Sequence, residues 1–167
     1  MSRITPFLWF DTQAEEAAEF YTSIFENSRI LEVSACGPDT PGPETAKLTV
    51  RFELDGSEFV ALNGGQEQRC FNDAVSFVVT CRDQAEVDHY WSRLVEGGEE
   101  GPCGWVKDRY GLSWQIVPRR LQELLGDPDP ERSDRAMRAM LAMGKLDLDA
   151  LERAVAGEDP LLASGRD

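Results

Sequence analysis

Residues 4–25, ITPFLWFDTQAEEAAEFYTSIF, predict a short buried strand that is followed at once by a helix. The apolar run from Ile4 to Phe10 is the strand. Asp11 and Thr12 are residue types that cap helices, and the two glutamates that follow suit the positive end of the helix dipole. An apolar stripe with the spacing of one helix face continues through Ala14, Ala17, Ala18, Tyr21, Ile24 and Phe25.

Three more strands are predicted to complete this unit. Their ranges are Ile30 to Ala35, Ala46 to Leu54, and Glu58 to Leu62. Residues 37–44 are rich in Gly and Pro and predict a loop. The second of the three strands alternates, with Leu48, Val50, Phe52 and Leu54 on one side, and Asp55-Gly56 is a strong hairpin signal.

The same order of elements begins again at Val75. The predicted elements are a strand at Val75 to Thr80, a helix from Asp83 to about Glu96, a strand near Glu99 to Pro102, and a hairpin of Gly104 to Lys107 with Leu112 to Val117. Two strand-helix-three-strand units predict an α+β fold of two βαβββ modules, residues 1–72 and 73–118, forming a cupped mixed sheet. One unit alone would leave a sheet face exposed, so the two are expected to pair around a cavity.

Residues 119–167 predict a C-terminal helical extension. Its helices are expected at Pro118 to Leu125, Ser133 to Met143 and Asp147 to Val155. The last two carry apolar side chains at helical spacing, and that face must be covered. Either the extension packs on its own domain, or it forms an arm on a partner subunit.

The totals exclude several classes of function. The chain of 167 residues has a net charge of −14, which disfavours nucleic-acid and anionic membrane partners. It begins with no signal peptide and has no apolar run near the roughly 20 residues of a membrane span, so a cytoplasmic protein is expected. Four cysteines without a CxxC pair, and a single histidine, disfavour structural zinc and predict free thiols.

Several short motifs resemble those of the vicinal oxygen chelate superfamily, which includes glyoxalase I, bleomycin-resistance proteins and extradiol dioxygenases. The motifs are Pro6 to Asp11, Ala14 to Ala17, and Phe20-Tyr21. Four further motifs resemble the PhnB-like subfamily, often labelled 3-demethylubiquinone-9 3-methyltransferase: Leu62 to Gly65, Cys103 to Trp105, Lys107-Asp108, and Gly111 to Gln115. The resemblance extends over essentially the whole chain, including the Met-rich tail. It implies a homodimer with a cavity inside each cupped sheet.

The resemblance also implies where a metal would be held. Metal-dependent members place His or Glu ligands on the first and last strands of each module, and the matching positions here are Thr5, Ala61, Ser76 and Gln115. Such side chains bind divalent transition metals poorly. We therefore expect no metal and no other cofactor.

Strand alternation instead predicts a pocket for a small organic molecule. The candidate lining residues are Phe7, Trp9, Phe59, Asn63, Ser76, Trp105, Ser113 and Gln115. Aromatic walls with a few amides and hydroxyls are typical of ligand sites. A core filled by these same side chains is the alternative.

The expected function is therefore metal-independent binding of a small molecule, with no catalytic residue assigned. The alternatives are a lyase or dioxygenase of the glyoxalase type, a methyltransferase as the subfamily label implies, and a purely structural dimer module. Gly64-Gly65 opens no helix, which favours a turn over an S-adenosylmethionine site.

Three residues outside the predicted pocket have two interpretations each. Cys103 is a buried packing residue, or a nucleophile activated by Lys107. Asp108 is a turn former or an acid. The single histidine, His89, lies in the middle of a predicted helix, which favours a surface residue over a ligand or base.

Overall fold

A computed structural model describes residues 4–35, 48–65 and 70–158. Their strands are Phe7–Phe10 (β1), Arg29–Ala35 (β2), Leu48–Leu54 (β3), Ser57–Asn63 (β4), Ser76–Cys81 (β5), Glu99–Glu100 (β6), Trp105–Lys107 (β7) and Ser113–Pro118 (β8). Their helices are Ala14–Ile24 (α1), Gln84–Leu94 (α2), Arg119–Leu125 (α3), Pro130–Leu141 (α4) and Leu148–Ala156 (α5). The predicted α+β fold of two βαβββ modules with a helical extension is confirmed. The predicted loop at 37–44, Cys36 and the predicted start of the third strand at Ala46 lie outside the described residues.

The chain divides into two compact units, Met1–Cys70 and Phe71–Asp167. The first contains a four-stranded sheet in the order β1-β4-β3-β2, in which β1 and β4 are parallel and the other pairs are antiparallel. Helix α1 covers one face: the Tyr21 ring stacks on Phe52 with centroids 6.3 Å apart, and Phe52 stacks on Phe59 at 5.6 Å. The predicted inward side of β3 is confirmed, since Val50, Phe52 and Leu54 are all buried. The predicted hairpin is also confirmed, because Asp55 and Gly56 both have positive φ, as a two-residue type I′ turn requires.

The cap of α1 differs from the prediction. Neither Asp11 nor Thr12 caps the helix; the N-cap position is Gln13, and its side chain makes no capping bond. The Ala14 amide instead donates to Oδ1 of Asn63, 2.7 Å away on β4. A residue 49 positions further along the chain thus satisfies a helix-end N–H that would otherwise be buried without a partner.

The second unit repeats the topology with the order β5-β8-β7-β6. Strands β5 and β8 are parallel, and α2 packs on the face formed partly by the buried Trp114 and Ile116. The predicted cap of α2 is confirmed, since Oδ1 of Asp83 accepts from the Glu86 amide at 3.0 Å.

The helical extension packs on its own chain. Helices α3, α4 and α5 share a buried cluster made of Leu121, Leu124, Ala136, Ala139, Leu146, Leu151, Ala154 and Val155. The side chain of Gln84 at the start of α2 donates to Leu146 O at 3.2 Å and accepts from the Leu148 amide at 2.9 Å. The extension therefore belongs to the second unit and buries this cluster within its own chain, whereas Met137 and Leu141 of α4 are exposed.

Helix α4 begins three residues earlier than predicted. Asp129 is its N-cap and Pro130 its first residue, so the predicted break of Asp127 to Pro130 doubles as a helix start. In the part of the chain that the structure describes, no helix has the length and apolar character of a membrane span.

Candidate ligand site on the second sheet

The open face of the second sheet brings together four predicted pocket residues. Residues paired directly across neighbouring strands share a face, and the register pairs Ser76 with Ser113 on β5 and β8, and Gln115 with Trp105 on β8 and β7. Lys107 pairs with Ser113 and joins the same face. The opposite face carries Trp114 and Ile116 beneath α2. The sequence correctly predicted which residues of β5 and β8 share this face. It missed Lys107, although Lys107 lies two residues after Trp105 and strand alternation puts both on the same face.

A cleft of about 290 Å³ opens at this face. Its lining residues are Asp73, Glu99, Glu100, Gly101, Pro102, Trp105, Val106, Lys107 and Ser113. This volume is close to the lower end of the range of roughly 300 Å³ and above that is usual for small-molecule pockets. Trp105 forms the aromatic wall, and the charged residues come from β6, from β7 and, as Asp73, from the segment before β5.

A polar cluster fills one end of the cleft. The buried Ser113 hydroxyl donates to Oδ1 of Asp73 at 2.7 Å, and the Lys107 ammonium lies 3.4 Å from the same oxygen. The hydrogen bond from Ser113, together with Lys107, holds the pKa of Asp73 below its usual range. Asp73 is thus kept as a carboxylate, and it holds Lys107 at the cleft. Sequence patterns could not have found Asp73, because it lies in the irregular segment before β5.

The residues at the expected metal positions do not fit a metal. The Gln115 amide donates to the Ser76 hydroxyl at 2.8 Å, so each of these two side chains already has a hydrogen-bond partner. Thr5 is exposed and precedes β1. Within residues 4–35, 48–65 and 70–158, no three His, Cys, Asp or Glu side chains are grouped so that they could hold an ion.

The predicted parity of β4 is wrong by one residue. Phe59, Ala61 and Asn63 face α1 together with Leu8 and Phe10, because Asn63 caps the helix and Phe59 stacks in the core. The open face of the first sheet is formed by the other set, in which Phe7 pairs with Val60 and Trp9 with Leu62. Phe59 and Asn63 are therefore structural residues, and Ala61 does not occupy a metal position.

Trp9 explains the two glycines that follow β4. Its indole lies against Gly64 so closely that a Cβ on that residue would fall 2.1 Å from the ring, and its Nε1 donates to Gly65 O at 3.3 Å. The absence of a side chain at Gly64 thus makes room for Trp9. Trp9 and Gly64 thus form a packing contact within the first module.

The residues with two interpretations are resolved in part. Asp108 is buried and orders the β7–β8 connection: Oδ1 accepts from the amides of Tyr110 and Leu112, and Oδ2 from Trp114 Nε1 at 2.8 Å. The interpretation as a turn former is confirmed. His89 is exposed on α2, with its ring edge-on to Tyr90.

The structure describes three of the four cysteines. Cys70, Cys81 and Cys103 are free, as predicted. Burial raises the pKa of the Cys81 thiol to about 12, and Glu86 and Asp83 reinforce the shift. Cys103 lies on a turn with a φ of 56°, and its amide donates to Met143 O at 2.7 Å in the helical extension. The contacts of Cys103 are thus those of a residue that positions a loop.

Comparison with solved structures identifies the class of fold. The PhnB protein from Bacillus cereus aligns with a TM-score of 0.62 and 33% identity, covering 70% of this chain and 99% of that one. The fosfomycin resistance protein FosX from Mesorhizobium loti aligns with a TM-score of 0.52 at 15% identity, covering 75% and 99%. FosX from Listeria monocytogenes, in complex with Mn(II) and sulfate, aligns with a TM-score of 0.50 at 18% identity, covering 75% and 94%. The fold is that of the vicinal oxygen chelate proteins.

The sequence assigns the chain to one family within this fold class. The sequence profile described as 3-demethylubiquinone-9 3-methyltransferase matches residues 2–117, and the chain belongs to this PhnB-like family. No curated protein matches the chain. The matched range ends before α3, so the helical extension is not part of the resemblance and the expectation that the whole chain matched is wrong.

Proposed function

We propose that this protein binds a small organic molecule in the cleft of its second module and does so without a metal. The observation that carries the proposal is the cleft of about 290 Å³ walled by Trp105, with Ser113, Lys107 and Asp73 at one end. An aromatic wall beside a few fixed polar groups is the usual composition of such sites. The mutual hydrogen bond of Ser76 and Gln115 supports the absence of metal from the same sheet face.

Thermal-shift screening of the full chain against metabolites tests this function. A ligand at about 100 times its Kd is expected to raise Tm by about 5 °C or more. Trp105→Leu should abolish the shift because it removes the wall of the cleft. Phe20→Leu, which removes a half-buried aromatic ring from α1 of the first module, is the matched control and should retain the shift. A screen in which no metabolite is sensitive to Trp105→Leu would contradict the proposal.

Independence from metal gives a second expected result. Elemental analysis of the purified protein should find zinc, iron, nickel and manganese well below one ion per chain, and EDTA should leave Tm unchanged. A structural or catalytic ion would couple its binding energy to folding, so a chelator would then lower Tm. One tightly bound ion per chain would defeat the proposal and favour the lyase or dioxygenase alternative.

The methyltransferase named by the family would need to bind S-adenosylmethionine. The Gly64-Gly65 pair offers no such site, since Trp9 occupies the space over it. Methyl transfer from labelled S-adenosylmethionine to any acceptor would restore this alternative.

We also propose a homodimer. The open sheet faces carry exposed apolar side chains in both modules, Phe7 in the first and Val78 in the second. Contiguous exposed apolar surface commonly marks an interface. Sedimentation velocity should show a species of twice the chain mass of 18.7 kDa.

Deletion of the residues after Asp127 should lower the stability of the protein without dissociating the dimer, because the extension packs on its own chain. Dissociation of the dimer with unchanged stability would instead indicate that the extension is an arm on the partner subunit.

A further inference from the structure

We propose that the helical extension positions the wall of the cleft in the second module. The connection between α4 and α5, residues 142–147, holds a strained turn of that wall, and Gln84 holds the connection. The inference rests on the proposed function, which makes this cleft a ligand site, and it adds how the shape of that site is set.

The cleft wall contains a tight turn between β6 and β7. The Trp105 amide donates to Pro102 O at 3.0 Å, which closes the turn, and the Gly101 amide donates to Trp105 O at 2.8 Å. Gly101, Pro102 and Trp105 all line the cleft. The conformation of this turn therefore decides where the aromatic wall stands.

The backbone of this turn is unusual for its sequence. Its two central residues, Cys103 and Gly104, have φ values of 56° and 84°, the signs that a type I′ turn requires. Gly adopts a positive φ freely, whereas a cysteine at the first central position is strained, because Asn, Asp and Gly are the residue types that tolerate it. The Asp55-Gly56 turn of the first module has the same signs with one of those types. The turn at Cys103 thus depends on support from outside itself.

The extension supplies that support. The amides of the two central residues donate to acceptors outside the turn, Met143 O at 2.7 Å and Gly144 O at 2.8 Å. Gly104 is buried against Leu146, whose Cδ1 would lie only 3.0 Å from a Cβ on that glycine. If the connection moved away, the left-handed backbone would lose both acceptors and its packing neighbour together.

The connection lies outside the helices, so its position depends on its anchors. Leu146 is buried in the cluster shared by α3, α4 and α5. Gln84, at the start of α2, donates from Nε2 to Leu146 O at 3.2 Å and accepts at Oε1 from the Leu148 amide at 2.9 Å. The Lys145 ammonium pairs with the Asp88 carboxylate on the same helix. Gln84 is not among the residues that line the cleft, so we infer that it acts there as a positioning residue, through the connection and the turn.

Amide hydrogen exchange of the 15N-labelled full chain, measured by NMR without added ligand, tests the inference. Gln84→Ala should speed exchange of the Cys103 and Gly104 amides about tenfold, because it removes the two hydrogen bonds that fix their acceptors. The indole N–H signal of Trp105, assigned with Trp105→Phe, should shift in the same variant, because the ring moves with the turn.

Two controls separate positioning from a general loss of stability. Within each variant, the Leu112 amide, which donates to Asp108 at the other end of β7, should keep its exchange rate. Ser133→Ala removes a side-chain hydrogen bond of the same kind, from the hydroxyl to Leu125 O at 2.6 Å, at the start of α4. It should leave the two turn amides and the indole signal unchanged.

A second substitution tests whether the extension opposes strain in the turn. Cys103→Asn gives the turn the Asn-Gly pair that type I′ geometry prefers. In this background Gln84→Ala should no longer shift the Trp105 indole signal, because the turn then keeps its shape without its anchor.

Three results would overturn the inference or one of its steps. If Gln84→Ala changes the turn amides and the indole signal no more than Ser133→Ala does, the extension does not position the wall. If the Leu112 amide is accelerated as much as the turn amides, the effect is global and the inference is overturned as well. If Gln84→Ala still shifts the indole signal in the Cys103→Asn background, the turn is not strained.

The proposed function fails by a different measurement. An empty metabolite screen would remove the ligand from the cleft but would leave the exchange rates as they are, because those are measured without ligand. Slow exchange of the turn amides in Gln84→Ala, together with a metabolite sensitive to Trp105→Leu, would instead remove the positioning role and leave the ligand site.

Discussion

Replacing Asp108 by alanine is expected to lower the free energy of unfolding of the second unit by about 3–5 kcal/mol. The carboxylate is buried and accepts from two amides and from the indole of Trp114. Alanine leaves the Leu112 amide and the Trp114 N–H buried without their partner, and each such group costs about 1–3 kcal/mol. Urea unfolding followed by tryptophan fluorescence measures the loss.

Two further variants make this test specific. Asp108→Asn keeps one acceptor oxygen but turns an amide N–H toward a donor, so a partial loss is expected. Asp134→Ala removes an exposed carboxylate that pairs with Arg138 one turn along α4, and should cost less than about 1 kcal/mol. Equal effects of Asp108→Ala and Asp134→Ala would show that the buried network does not stabilise the hairpin.

Gly104→Ala is expected to lower the free energy of unfolding by about 3 kcal/mol or more. Gly104 has a φ of +84°, and a Cβ there would lie 2.8 Å from Ile116 O and 3.0 Å from Leu146 Cδ1. Ile116 O is a backbone atom of β8, and the amide of the same residue donates to Gly104 O at 2.7 Å. The second belongs to the buried cluster of the extension, so the added methyl would push apart the sheet and the helices.

Gly111→Ala is the matched control for this effect. Gly111 also has a φ of +84°, but a Cβ there would meet nothing within 4 Å. Only the left-handed backbone is penalised, which costs about 1–2 kcal/mol. The difference between the two variants measures the steric term, and equal losses would mean that the extension yields freely to the methyl group.

The contact at Gly104 has a consequence for the cleft. The amides of Cys103 and Gly104 donate to Met143 O and Gly144 O, and these residues adjoin the cleft-lining Pro102 and Trp105. The family match ends at residue 117, before any of the extension. A segment outside the family match therefore holds one wall of the candidate site.

Short-range patterns in the sequence predicted most of the fold. Alternation in β3, the Asp55-Gly56 turn and the Asp83 cap each depend on residues within a few positions of one another, and the structure confirms all three. The repeat of strand, helix and three strands follows from the same local signals. The parity of β5 and β8 was equally readable, and it placed Ser76, Ser113 and Gln115 on the lining face, with Trp105 expected at the rim.

Only the tertiary structure decided what the polar residues of the chain do. Strand parity predicts Asn63 in the ligand pocket, whereas its Oδ1 accepts from the first amide of α1, a contact across 49 positions. Asp73 reaches Ser113 across 40 positions, and the extension docks on the loop at Gly104. A hydrogen bond depends on distances of tenths of an ångström between distant segments, and no periodicity along the chain carries that information. The residue types therefore determined the layers of this protein, whereas the partners of its buried donors and acceptors, and hence its candidate site, were set by how those layers pack.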